Sequence, residues 1–332
     1  MVAGTRPNSI RERGSFGVTQ GMNEDSASRG GERGRWMRLA AFASVGVGFT
    51  LAASKATVWL LTGSVTMLAS LMDSVLDLLA SLITLIGVRT ALEPPDYDHR
   101  FGHSKAEGLA ALAQAAIMTG SATFIFLEAI GRLISPVPVE MVWTGFAVSV
   151  LAIVLTLGLV GFQRRVIRRT GSLAIRADSL HYTGDLLLNL AVMAGLALAA
   201  FTPFERADGL FGAGIALYIA RQAFTIARTA VDMLMDKEFS EDERERIFNI
   251  TMGNPLVRGL HDLKTRSAGL RDFIQLHIEV DPDLSLREAH LAATEVEAAI
   301  GEAFPDAEII INVDPVGFER PNLTVEELSR PR

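Results

Sequence analysis

The sequence predicts an all-α domain of six membrane-spanning helices, followed by a small cytoplasmic α+β domain of order α-β-β-α-β, ferredoxin- or metallochaperone-like. Three observations predict it. Six apolar segments each reach the roughly 20 residues that a bilayer crossing needs. Charge is crowded into the first 38 residues and about the last hundred, and is sparse between them. Beyond Asp236 the apolar pattern switches between helical spacing and strict alternation.

The six segments are 37–61, 64–90, 107–134, 141–163, 172–200 and 207–235. Gly63-Ser64, Pro94-Pro95, Pro136 and Pro138, the run Arg164 to Thr170, and Pro203 separate them. Residues 1–35 are rich in Gly, Ser, Arg and Asn without an apolar period, and read as a disordered cytoplasmic tail. They lack the apolar core of a cleavable signal. Residues 36–236 form the expected membrane domain, 237–316 the expected soluble α+β domain, and 317–332 an expected disordered tail.

Lys and Arg near the helix ends set orientation. One side holds Arg6, Arg11, Arg13, Arg29, Arg33, Arg35, Arg38, Arg89, Arg100, Lys105, Arg164, Arg165, Arg168, Arg169 and Arg176; the other holds only Arg132 and Arg206. Both termini are therefore expected in the cytoplasm.

In the C-terminal part, Ser240 with Glu243 has the form of a capping box, opening a helix to about Gly253. Residues 258–266 read as a strand. Residues 273–280 alternate, with Ile274, Leu276, Ile278 and Val280 on one face and Gln275, His277 and Glu279 on the other. A helix over about 285–303 and a strand over about 307–313 complete the unit, with the helices on one side of a sheet.

Composition narrows the function. A net charge of −7 argues against nucleic acid as partner. With no cysteine in the chain, disulfides and thiolate metal sites are excluded. Any metal must be held by His, Asp and Glu, and there are only six histidines.

Carboxylates at membrane depth are costly unless compensated, so they mark function. Asp73 and Asp77 are four apart in the second segment, on one helix face, with Ser70 and Ser81 extending the stripe. His181 and Asp185 repeat the spacing in the fifth segment, flanked by Asp178 and Asn189. Packed together, the two helices would present three carboxylates and an imidazole, a set suited to tetrahedral Zn²⁺. The alternative is a hydrogen-bonded network or proton relay without metal. Lys55 is a further charge in the first segment, placed to snorkel or to pair with a helix partner.

The stretches Gly63 to Ser81, Phe101 to Glu107 and Ala177 to Asp185 resemble the cation diffusion facilitator family, most of all its bacterial zinc and ferrous-iron efflux pumps. The resemblance covers about residues 40 to 316. It implies a homodimer of six-helix protomers in the bacterial inner membrane, exchanging a cytoplasmic divalent metal for protons, with Asp73, Asp77, His181 and Asp185 as the transport site. The His-Asp pair on the fifth helix is similar to the zinc-type arrangement. Imidazole likewise suits zinc, iron or cobalt better than magnesium, calcium or manganese. Zn²⁺ is the expected ion, with Fe²⁺, Cd²⁺ and Co²⁺ as alternatives.

Matched by position, the family's loop site falls on Asp96, His99 and His103, with Asp98 as a substitute for Asp96. The family's two-metal site in the soluble domain falls on His261, His290 and Asp314 for one ion, and on His277 and Asp314 for the other. Asn312 stands where the family has a histidine, which leaves one of these two ions short of a ligand. Lys105 and Asp236 match positions of cytoplasmic charge contacts that hold the family's dimer; solvated charges at helix ends are the alternative. Three rival functions remain: a metal sensor or scaffold without transport, an intramembrane hydrolase, and a proton-coupled carrier of an organic solute. The chain has no His-Glu-x-x-His for the second, and the third would not need histidines in a loop and a soluble domain.

Overall fold

The computed structural model describes residues 15–63, 65–134, 143–201 and 207–317, with side chains described at 31–63, 67–134, 149–191 and 209–317. Expectations for residues 1–14, for the Pro136, Pro138 and Pro203 connections, and for the tail beyond Gly317 lie outside the described residues. The chain separates into two compact units, 1–234 and 235–332.

The first unit holds six long helices: α1 (Ser15–Thr62), α2 (Val65–Ala91), α3 (Ala106–Ile134), α4 (Trp143–Thr170), α5 (Leu173–Phe201) and α6 (Ala207–Leu234). Within the described residues, five of them contain stretches long and apolar enough to cross a membrane: Gly31–Thr62, Met67–Ala91, Ala106–Ile134, Ser149–Thr170 and Gly209–Leu234. α5 matches them in length.

Two boundaries differ from expectation. α1 begins at Ser15, so Ser15 to Arg35 are helical rather than part of a disordered tail. Extending an existing helix by a residue is cheap, and no proline interrupts the chain between Pro7 and Pro94. α4 likewise runs through Arg164–Thr170, because arginine is a good helix former. It stops at Gly171, whose φ of 69° is left-handed and whose N–H reaches back to Ile167 O at 2.8 Å. Gly63 (φ 63°) closes α1 in the same way, donating to Trp59 O at 2.8 Å.

Between helices in a membrane the hydrophobic effect contributes little, so close approach of small side chains carries the packing. Ala111 and Ala115 of α3, Ala177 of α5 and Ala230 of α6 are all buried in one cluster with Leu173 and Ile226. Gly87 of α2 is the tightest crossing. A Cβ there would stand 2.4 Å from the Ala110 Cβ and 3.2 Å from the Ala106 carbonyl of α3.

The second unit contains α7 (Glu241–Met252), β1 (Val257–Ser267), β2 (Asp272–Val280), α8 (Leu286–Ala303) and β3 (Ala307–Pro315). Strand order is β1-β2-β3, with β1 antiparallel and β3 parallel to the central β2. Both helices open with reciprocal capping boxes, Ser240 with Glu243 and Ser285 with Glu288. The Ser285 hydroxyl and N–H both donate to the Glu288 carboxylate, which holds its pKa below the usual range. Ile274, Leu276, Ile278 and Val280 form the core with Ile247 of α7 and Val296 and Ile300 of α8. The opposite face of β2 is left to Gln275, His277 and Glu279. His277 is nevertheless buried, stacked against the His261 ring and flanked by Asp314 and Asn312.

Gly87→Leu is expected to separate α2 from α3 and to destabilise the first unit by about 1–3 kcal/mol. Thermal unfolding of the purified protein in detergent, against Gly120→Leu at a position with open space, is the check.

Candidate metal centre

α2 and α5 bring the central cluster together. Asp77 and His181 come from different helices, and His181 and Asp185 are one turn apart on α5. His181 Nε2 lies 3.1 Å from Asp77 Oδ1 and 3.8 Å from Asp185 Oδ2. One ligand atom from each of the three residues lies within 4.8 Å of the others. Around a tetrahedral ion with bonds of roughly 2.0–2.1 Å, ligand atoms stand roughly 3.3 Å apart. The observed spacings fit such an ion with small adjustments. Asp185 Oδ2 is buried and has no hydrogen-bond partner. A carboxylate oxygen buried in that condition is costly unless a cation or proton meets it. Asp73, expected as the fourth ligand, stands outside this cluster: it lies one turn before Asp77 on α2 and is exposed.

The loop between α2 and α3 forms a second cluster. Asp96 Oδ1 lies 3.2 Å from His99 Nδ1, and Asp96 Oδ2 lies 3.4 Å from His103 Nε2. The Asp96 carboxylate also accepts the backbone N–H of His99 at 2.6 Å and of Asp98 at 3.0 Å. The His99 N–H is the main reason that Asp96 titrates below the ordinary carboxylate range. Asp96 rather than Asp98 thus faces the imidazoles.

The third cluster lies on the sheet face away from the helices. Strand register aligns His261, His277 and Asn312 in one row across β1, β2 and β3. Asp314 is two residues further on β3, on the same face. His277 Nδ1 is 2.8 Å and His261 Nε2 3.3 Å from the same oxygen, Asp314 Oδ2. The structure therefore groups His261 with His277 and Asp314, whereas the resemblance implied His261 with His290. His290 is exposed on α8 and outside this group, because α8 packs on the opposite face of the sheet. Asn312 Nδ2 lies 3.2 Å from His277 Nε2, so it serves as a hydrogen-bond partner that orients the ring. Two imidazoles and a carboxylate fit a zinc-type ion with water completing the shell.

Residues 41–235 match the family model for the cation efflux transmembrane domain, and residues 239–316 match that for the cytoplasmic domain of cation efflux proteins. The chain belongs to the cation efflux, or cation diffusion facilitator, family. It is 49% identical over 284 residues to the cation-efflux pump FieF of Shewanella oneidensis, covering 86% of this chain and 96% of that one. It is 46% identical over 282 residues to FieF of Cronobacter sakazakii, covering 85% and 94%. Among solved structures, the metal-bound C-terminal domain of the CzcD transporter from Thermotoga maritima is 29% identical, with a TM-score of 0.23, covering 24% of this chain and 93% of that domain. As a member of this family the chain is a multi-pass membrane transporter of metal cations rather than an enzyme.

One part of the efflux domain escaped the sequence reading. Asp178, fully buried one turn before His181, joins four helices. Its carboxylate accepts Ser44 Oγ–H of α1 at 2.6 Å, Gln163 Nε2 of α4 at 2.6 Å and Gln114 Nε2 of α3 at 3.2 Å. Ser44 and Tyr182 each lie 2.9 Å from Ser81 of α2. Gln114 also donates to the Ala80 carbonyl and to Thr84 of α2. Glu107 of α3, equally buried, accepts the Ser172 hydroxyl just before α5. Isolated glutamines in apolar spans were the available signal. Lys105 Nζ donates to Leu234 O at 3.3 Å, and Asp236 pairs with Arg266 Nη1 at 3.2 Å.

Asp178→Ala would remove the acceptor that three buried donor groups share and leave the Gln163 amide without its partner. The expected cost is about 2–4 kcal/mol of stability, seen as a lowered unfolding midpoint in detergent, with Asp178→Asn intermediate.

Proposed function

We propose that this protein exports a divalent transition-metal cation, Zn²⁺ by preference, from the cytoplasm in exchange for protons, and that it does so as a homodimer. The observation that carries the reading is the meeting of Asp77, His181 and Asp185 inside the efflux domain, with a buried Asp185 oxygen that lacks a donor. Mixed imidazole and carboxylate ligands favour zinc-like ions, with Fe²⁺, Co²⁺ and Cd²⁺ as competitors. Asp73 would join as the fourth ligand by a small rotation of α2 in another state of the cycle.

Proton coupling follows from ligand chemistry. An imidazole and carboxylates bind metal only when unprotonated, so metal arrival releases protons and protons drive metal off. Rocking of the helices around a midplane site would expose it to one side at a time. The Lys and Arg distribution supports cytoplasmic termini, and the bacterial relatives support an inner-membrane location. The match to the family's cytoplasmic dimer domain supports the homodimer. The loop cluster of Asp96, His99 and His103 and the sheet cluster of His261, His277 and Asp314 would hold resident ions. Ions bound at the sheet cluster would stiffen the soluble unit and bias the transport states.

In proteoliposomes with an imposed pH gradient, wild-type protein should move Zn²⁺ and Asp77→Ala should lose more than about 100-fold in rate, since losing a ligand exceeds the cost of disturbing an outer partner. Flux retained by Asp77→Ala, or flux indifferent to the gradient, rejects the proposal. Asp314→Ala should remove one class of bound Zn²⁺ from the full-length protein in equilibrium dialysis, while Zn²⁺ binding that depends on Asp77 persists.

A further inference from the structure

α1 contributes no ligand to the central cluster, yet it grips the polar stripe of α2 on both sides of Asp77. Ser70, Ser74, Asp77 and Ser81 follow at intervals of four, three and four, which places them on one helix face. At one end Ser44 meets Ser81. At the other, Lys55 reaches across from α1: its Nζ donates to Ser74 Oγ at 2.6 Å and to the Ser70 carbonyl at 3.1 Å. Ser74 is buried and Lys55 half-buried.

This tether fixes a full positive charge within a membrane span. Snorkelling to an interface, the ordinary fate of such a lysine, does not describe it. Among the described residues Lys55 forms no ion pair with any carboxylate. Ser74 and Asp77 are three apart on α2, so their Cβ atoms are roughly 5–6 Å apart. The ammonium, held at Ser74 and the Ser70 carbonyl, thus stands beside the cluster without occupying it. With Asp73 joined as the fourth ligand in the metal-bound state, the three unprotonated carboxylates beside a neutral imidazole carry three negative charges. Lys55 reduces the excess to two, which one divalent ion cancels.

We propose that Lys55 is a fixed counter-charge that tunes the transport site to divalent ions and keeps their binding weak enough for release. This rests on the reading that Asp77, His181 and Asp185 bind the cation. A bound divalent ion and the tethered ammonium repel each other through a medium of low effective dielectric, so loss of the ammonium charge strengthens metal binding. A purely structural tether predicts the opposite. Loosening α1 from α2 would disorder the site and weaken binding.

The test uses full-length protein in nanodiscs, titrated calorimetrically with Cd²⁺ at alkaline pH, where protons no longer compete. Asp77→Ala identifies the class of sites that belongs to the membrane cluster. Lys55→Met should tighten that class by about tenfold or more, and Lys55→Arg, which keeps the charge, should leave it within about threefold of wild type. Lys55→Gln keeps a donor toward Ser74 without the charge and should tighten binding as Lys55→Met does; it decides the matter if Lys55→Met does not fold. Weakened or unchanged binding in both neutral variants, with an Asp77-dependent class present in wild type, overturns the counter-charge alone. Absence of any Asp77-dependent class overturns the site reading and this inference together.

Discussion

A carboxylate inside a bilayer has no water to turn to, and that constraint organises the first unit. Asp77, Asp178 and Asp185 each need a cation, a proton or several donors. Asp178 is met by hydroxyl and amide donors from three other helices, and becomes a structural joint. Among the described residues, the Asp77 and Asp185 carboxylates are met only by the imidazole of His181, which leaves their remaining oxygens available. The same residue type thus serves two ends, decided by how many donors surround it. Packing follows from this division. Small side chains such as Ala111 and Ala177 let α3 and α5 approach closely enough for the short polar contacts to form.

The arrangement also separates rigid from responsive parts. One turn of α5 carries Asp178, anchored to α1, α3 and α4; the next turns carry His181 and Asp185. A helix fixed at one level and free to adjust at another suits a site that must open to either side of a membrane. α1 extends this logic, since Ser44 belongs to the anchored layer and Lys55 to the layer of the ligands. The soluble unit follows a different rule. There a sheet in water buries one face against α7 and α8, and the other face is free to collect His261, His277 and Asp314.

Much of this was legible in the chain itself. The six helices, the capping box at Ser240, the alternation along β2 and the order of the soluble elements all depend on local periodicity and on side chains within four residues of each other. The i,i+4 pair of His181 and Asp185 and the loop residues Asp96, His99 and His103 are local in the same sense. Residue type and spacing therefore determined that membrane-depth carboxylates and six histidines were the chemistry to follow.

Tertiary structure decided which of those groups meet. No local rule places Gln114, Gln163 and Ser44 around Asp178, since their partners lie 15 to 134 positions away along the chain. Helix rotation left Asp73 outside the central cluster, although its spacing to Asp77 is ideal. Strand order put His261 beside His277, because hydrogen-bonded rows, and not distance in sequence, determine neighbours in a sheet. Spacing within one element is dictated by covalent geometry, whereas contact between elements is dictated by packing, and only the folded chain contains that information.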